Sequence, residues 1–281
     1  MNPVSTILAI ARDVLREAAS SKLLLVLFVL IGLFLLALTL SLDLDVVDGA
    51  LAGAQIFGAK SDDGVIAPVD VMLRPLFEAL AWITFHFGLL FGIVATADIA
   101  PRALQPGRVE HLLALPVRRV ELVVGLYVGV CAICAICTAA AVGGVSLVLF
   151  VKAEMFTVAP LAGAVTAFVG FSAIYAVMLA VGVISRSAAL SAGAGLATFF
   201  GGIIVGHKRT WLEWIDSPAR GILDVVTMPI PNLKALADIG VGAAASQPLV
   251  LATIAPLVAG TVAFAVVGVA LAAVVVDSRD Y

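Results

Sequence analysis

Charged residues are scarce in this chain of 281 residues. Asp, Glu, Lys and Arg make up 12% of it, whereas hydrophobic residues make up 63%. Soluble domains carry roughly 25% charged residues, so about half of the usual solvating charge is missing. A soluble globular domain is therefore excluded as the main body of the chain. The net charge is only −3 and no block of Lys or Arg occurs, which excludes a nucleic-acid partner as well.

Cysteine is also scarce, and all three cysteines lie in one apolar run. Cys131, Cys134 and Cys137 therefore say little about the redox compartment. Their spacing covers about 120° of one helix face, so a soft metal is one reading. A single helix presents them as a ladder rather than a tetrahedron, and cysteine is a good small apolar filler. Packing is the favoured reading, and we predict no metal site.

A nucleotide-binding motif is missing too. The segment from Gly53 to Ser61 nearly spells a phosphate-binding loop, but Ala59 stands between Gly58 and Lys60. Such a loop aims its backbone N–H groups from a strand–helix turn, and no preceding strand is predicted. We interpret the match as chance. The sequence therefore predicts neither an enzyme nor a cofactor bound by this chain.

Long apolar runs dominate what is present. A bilayer core is roughly 30 Å thick and needs about 20 apolar residues in a helix to cross it. The sequence predicts an all-α fold, a polytopic transmembrane bundle that forms a single transmembrane domain over residues 1–281. Its six spans are predicted at 22–41, 78–98, 121–150, 158–184, 187–206 and 249–276.

The first 21 residues predict a separate amphipathic helix. Apolar residues such as Ile7, Leu8 and Leu15 share one side, and Arg12 and Arg16 lie on the other. This pattern favours a helix lying in the membrane interface, an elbow before the first span. The alternative is a simple extension of that span. The apolar run that follows is too long for a cleavable signal peptide, so we expect it to remain as a span.

Three connections complete the predicted layout: an outer loop at 42–77, a loop on the opposite side at 99–120, and an outer re-entrant segment at 207–248. This last segment is interrupted by prolines and includes a short capped helix from Asn232 to Gly240. With both termini inside, the inner side holds nine basic and seven acidic residues and the outer side seven basic and twelve acidic. This asymmetry has the sign of the positive-inside rule. We therefore predict a multi-pass protein of the cell membrane with cytoplasmic termini.

Polar residues inside the spans are few. His86 lies midway along the second span, where an ionisable group is costly and often marks a substrate pathway. A neutral histidine bonded to a neighbouring helix is equally permitted. The pairs Gly88 and Gly92, Gly125 and Gly129, and Gly202 and Gly206 have the small-xxx-small spacing that allows close helix contact.

The loop at 99–120 is the most informative segment. Val109, Leu112 and Leu113 predict a short helix with an apolar side, and Pro116 ends it. Arg118 and Arg119 then lie at the membrane surface. An exposed apolar helix among charges suggests docking to another protein, although packing beneath its own spans is an equal alternative.

This stretch resembles the coupling region of the membrane subunits of type-two ABC transporters, the exporter class. The family pattern runs Gly-Thr, an acidic residue, Leu-Leu, Pro, Arg, Glu-Leu, Gly-Lys. The residues that match it in order are Gly107, Glu110, Leu112, Leu113, Pro116, Arg119, Glu121, Leu122 and Gly125. Arg108 and Leu126 depart from the Thr and Lys of the pattern. The elbow helix and the six-span layout are also similar.

The resemblance implies a permease that has no ATP site of its own and depends on ATP hydrolysis by a separate subunit. Its partners would be a cytoplasmic P-loop ATPase subunit that holds ATP and Mg²⁺, a second permease copy in a homodimer or related heterodimer, and membrane lipids. The ATPase-coupling residues implied are Gly107, Glu110, Leu112, Leu113, Pro116, Arg118 and Arg119, and the implied location is the bacterial inner membrane. Two alternatives stay open: a non-transporting anchor or force-transmitting subunit, and an intramembrane enzyme, which would need clustered catalytic groups.

Overall fold

The structure, a computed structural model, describes residues 3–19, 22–47, 50–56, 59–60, 67–68, 73–105, 118–153, 159–208, 210, 227 and 230–278. Its helices are α1 (Pro3–Ala19), α2 (Lys22–Ser41), α3 (Arg74–Thr96), α4 (Ile99–Ala103), α5 (Arg119–Ala153), α6 (Ala159–Ser185), α7 (Ala188–Gly206), α8 (Leu233–Ala244) and α9 (Leu251–Asp277).

The predicted helical bundle is confirmed. Five stretches of the described residues are long and apolar enough to cross a bilayer, namely Arg74–Ala103, Arg119–Lys152, Ala159–Ser185, Ala188–Gly206 and Leu251–Asp277. A shorter apolar stretch, Leu25–Ser41, lies in α2 and corresponds to the first predicted span. The second span begins four residues earlier than predicted, because Arg74 and Pro75 already form the first turn of α3.

A small antiparallel sheet precedes α3 and was not predicted. It consists of β1 (Leu42–Val47), β2 (Ala50–Ile56), β3 (Ala59–Lys60) and β4 (Ala67–Pro68), with β2 paired to the other three. The alternation of Leu and Asp at the start of β1 is a period-two strand signal. The loop predicted at 42–77 therefore contains strands, whereas the other elements of the described residues are helices.

Helix α6 forms the centre of the bundle. It packs against α3, α5, α7, α8 and α9, and buried residues occur along most of its length. Phe171, Ile174 and Tyr175 are each at most 1% exposed and belong to the largest buried cluster. Because α6 contacts these five helices, it fixes the positions of α3, α5, α7 and α9 relative to one another.

Helix α1 packs on the first turns of α5. A Cβ atom added to Gly125 would lie 2.7 Å from the Ile10 Cβ, and one added to Gly129 would lie 2.8 Å from the Val14 Cβ. The close contact predicted for this glycine pair is confirmed, with α1 as the partner. Leu8, in contrast, is 58% exposed, so α1 keeps a second apolar side away from the bundle. That side suits the predicted interfacial position.

The short helix α8 is wedged among α3, α6 and α7. The Asn232 side chain accepts a hydrogen bond from the Ala235 N–H at 3.0 Å, which is the predicted N-cap. A Cβ at Gly202 would lie 2.6 Å from the Leu233 Cγ, so this glycine lets α8 approach α7. At its far end, Gly240 lies against Gly163 and Thr166 of α6. The segment predicted at 207–248 thus returns into the bundle through α8.

Candidate functional site at the end of the bundle that carries the 99–120 loop

Parts of residues 98–105, 118–122 and 276–278 lie together at one end of the bundle: Leu104, Leu122 and Val276 share a buried cluster, and Arg119 bonds to the end of α9. We call this the coupling end, after the role predicted for the loop that it carries. The turn from α6 to α7 belongs to it, because a Cβ at Gly182 would lie 3.3 Å from the Pro101 Cδ. The structure therefore gathers at one end four segments that the sequence predicts on one side of the membrane. Residues 106–117 lie outside the described residues. This range includes five of the predicted coupling residues, whose roles stay predictions: Gly107, Glu110, Leu112, Leu113 and Pro116.

The entry to the 99–120 loop is held by α4. Ala100, Ala103 and Leu104 are each no more than 2% exposed and belong to the main buried cluster. On the exposed side, Arg102 forms an ion pair with Asp98 at 2.6 Å, an i,i+4 contact of the kind that contributes about 0.3–0.5 kcal/mol. Burial, rather than this ion pair, holds the chain in place just before residue 106.

The exit from this loop is the first turn of α5. The Arg118 backbone N–H donates to the Glu121 carboxylate at 3.2 Å, which satisfies one of the orphan N–H groups that begin a helix. Leu122 and Val123 follow and are each 1% exposed. Arg118 itself is exposed. The segment that leaves residue 117 therefore joins a capped and buried helix start.

Arg119 connects this exit to the last helix. Its Nη1 donates to the carbonyl oxygens of Val276 at 3.1 Å and Asp277 at 3.0 Å. The two partners lie 157 and 158 residues further along the chain, so no local sequence pattern indicates them. A cation suits this position because carbonyl groups accumulate negative charge at a helix C-terminus. The structure thus shows an intramolecular contact for Arg119, and its contact with an ATPase stays a prediction.

His86 lies among aromatic rings in the middle of α3. Its Nδ1 is 3.0 Å from the Trp82 carbonyl oxygen, so Nδ1 must be the donor. Its ring stacks on Trp82 with centroids 4.4 Å apart and meets the edge of Phe199 of α7 at 6.3 Å. These contacts give His86 a packing role, and its place in a substrate pathway stays a prediction.

The three cysteines of α5 are free thiols and half-buried. Cys134 and Cys137 pack against the main buried cluster, and the Cys134 sulfur lies 3.9 Å from the Thr138 hydroxyl oxygen. Among the described residues, no three His, Cys, Asp or Glu side chains come close enough together to hold a metal ion. The geometry thus favours packing for these side chains.

Replacing Cys131, Cys134 and Cys137 together by Ala is expected to leave folding nearly unchanged. Alanine is small and apolar and a better helix former than cysteine. Thermal unfolding of the purified protein and its elution in size-exclusion chromatography measure the effect. Stoichiometric metal that is present in the wild type and lost in the triple variant would contradict this expectation.

The near match to a phosphate-binding loop falls in the small sheet. Gly53 to Ile56 belong to β2, and Ala59 and Lys60 form its antiparallel neighbour β3. A phosphate-binding loop instead joins a strand to a helix whose N-terminus faces the phosphate. The described residues of the motif therefore lie on paired antiparallel strands rather than at a strand-to-helix turn.

One comparison with known proteins identifies the family. The sequence profile described as ABC-2 family transporter protein matches residues 8–208, which is well over half of the chain. The match extends from α1 to the end of α7 and includes the whole 99–120 loop. No curated protein matches the sequence. The chain therefore belongs to the ABC-2 family of transporters and is a multi-pass membrane permease of the ABC type.

Proposed function

We propose that this permease is the membrane subunit of an exporter driven by ATP hydrolysis on a separate cytoplasmic P-loop ATPase. It would act as two copies, identical or related, in the bacterial inner membrane, with both termini and the 99–120 loop in the cytoplasm. ATP and Mg²⁺ would be bound by the partner ATPase. Closure of the ATPase would move the 99–120 loop and switch the permease between inward-open and outward-open states.

The family match over residues 8–208 is the observation that carries this proposal. The construction of the coupling end supports it further. A docking element transmits force only if it is joined rigidly to a span, and both flanks of residues 106–117 are held. Leu104 is buried on the entry side, and Leu122 is buried on the exit side. A push on the intervening residues would therefore reach α3 and α5 directly.

Purification from native membranes in a mild detergent tests this function. We expect a P-loop ATPase to co-purify, and its ATP hydrolysis to change when the permease is bound. Reconstitution of both subunits in liposomes then allows ATP-dependent release of candidate cargo to be measured. A permease that purifies without any ATPase would contradict the proposal, and a bound ATPase without transport of any cargo would favour the anchor or force-transmitting alternative.

The proposed orientation makes its own prediction. Single cysteines placed at residue 110 or near either terminus should react with a membrane-impermeant maleimide only after the cells are opened, because the basic excess lies on that side. Cysteines at residue 62 or 216 should react in intact cells. The parent for these variants is the protein in which the three native cysteines are alanine. Labelling of residue 110 in intact cells would contradict the orientation.

A further inference from the structure

The C-terminus of α9 has all of its terminal carbonyl groups satisfied. The last four carbonyls of a helix have no intrahelical donor. Here the Ser278 N–H donates to the Val274 oxygen at 3.0 Å, and the Ser278 hydroxyl donates to the Val275 oxygen at 3.0 Å. Arg119 supplies the donor to the remaining two, Val276 and Asp277. The chain thus completes the cap of its last span with a side chain from the start of α5.

This cap sits on a packed contact. Leu122 and Val123 of α5 and Ala272, Ala273 and Val276 of α9 belong to the same buried cluster. Hydrogen bonds from a charged donor are roughly twice as strong as neutral ones and are directional. Packing keeps the two helices adjacent, and Arg119 fixes the α9 end relative to the residue at which the 99–120 loop meets α5.

We propose that Arg119 is a positioning residue that transmits movement of the coupling loop to the last span. This inference rests on the proposed function. Displacement of residues 106–117 by the ATPase moves the first turn of α5, and the Arg119 guanidinium draws the end of α9 with it. Two spans that are distant in sequence then move together. Without this connection, the ATPase still docks on the loop, but α9 no longer follows.

The test compares four forms of the permease with its bound ATPase: wild type, Arg119→Ala, Arg119→Lys and Arg102→Ala. Each carries Leu251→Cys at the far end of α9, labelled with an environment-sensitive fluorophore, with the native cysteines changed to alanine. Leu251 is 78% exposed, so the label is accessible. Arg102 is the matched control, because its exposed ion pair lies at the same end. The fluorescence change on trapping the ATPase with ATP and vanadate is measured.

We expect Arg119→Ala, measured at an ATPase concentration that saturates binding, to lose most of the ATP-dependent signal from α9, because the carbonyl groups of Val276 and Asp277 lose their donor on α5. Arg119→Lys should recover part of the signal, because its ammonium group keeps the positive charge and can donate to the same carbonyls, but it sits on a flexible stem that is less pre-organised than the guanidinium. Arg102→Ala should behave as wild type. Amide exchange at residues 274–278 should become faster in Arg119→Ala, since two carbonyls lose their donor.

Two results would overturn the inference. An unchanged α9 signal in Arg119→Ala would show that the cap does not transmit movement. Loss of ATPase binding in Arg119→Ala, with unchanged amide exchange in α9, would make Arg119 a direct contact instead. Failure of the proposed function looks different: the wild type itself would bind no ATPase and give no signal. In that case the role of Arg119 in transmitting movement would be wrong as well. Amide exchange at residues 274–278 would still show whether Arg119 caps α9.

Discussion

Replacing Leu112 and Leu113 together by Asp is expected to abolish co-purification of the ATPase while membrane insertion and dimerisation persist. The family resemblance places these leucines in the docking element, where a partner groove would bury them. Full burial of a leucine contributes roughly 1.5–3 kcal/mol, and an unpaired carboxylate in the same groove adds a desolvation cost. For the pair, this loss is a large fraction of the roughly 8 kcal/mol that holds a micromolar complex together.

The matched control for this variant is the adjacent apolar pair Leu249 and Val250. Each is 58% exposed, and both precede α9 at the end opposite the coupling end. Their replacement by Asp introduces the same charge without touching the proposed docking element, so ATPase binding should be retained. If the variant at 112 and 113 still binds the ATPase and changes its hydrolysis as the wild type does, the assignment of the docking element is wrong.

Replacing Gly202 by Leu should displace α8 and destabilise the permease. A Cβ at this position would lie 2.6 Å from the Leu233 Cγ and 2.7 Å from the Pro231 carbonyl oxygen. The backbone oxygen cannot rotate away as a side-chain end can, so α7 and α8 must separate. Overpacking of this kind typically costs about 1–3 kcal/mol and occasionally more. Thermal unfolding in detergent, followed by size-exclusion chromatography, measures the loss.

The neighbouring Gly201 provides the control. It lies in the same helix, and nothing comes within 4 Å of a Cβ added there. Gly201→Leu gains the same helix propensity and adds the same apolar surface, so its stability should stay close to wild type. Equal destabilisation by the two substitutions would mean that the contact between α7 and α8 does not hold this helix in place.

Most of the bundle could be predicted because bilayer thickness fixes the length of an apolar helix. The predicted spans at 121–150 and 187–206 differ by at most three residues at either end from Arg119–Ala153 and Ala188–Gly206. The small sheet was missed because its strands lie in a loop that no bilayer constraint organises. The Leu-Asp alternation in β1 was the available signal.

The candidate site was predictable in part. Local pattern and family resemblance indicated the 99–120 loop and its charged exit at Arg118 and Arg119. The partner of Arg119 was not predictable, because it consists of two backbone carbonyls at the far end of the chain. Backbone groups carry no sequence signature, and only the packing of α5 on α9 brings them to the guanidinium. The partner of Gly125 and Gly129 was likewise not predictable. Their spacing indicates that some helix approaches closely, but it does not indicate that this helix is α1.

Native mass spectrometry of the complex purified from native membranes tests the central claim most directly. We expect a particle that contains two permease chains and P-loop ATPase subunits bound to them. The Leu112→Asp and Leu113→Asp double variant should give the permease dimer without the ATPase. A wild-type permease that carries no ATPase, or a double variant that retains it in full, would contradict an ATP-driven permease coupled through this loop.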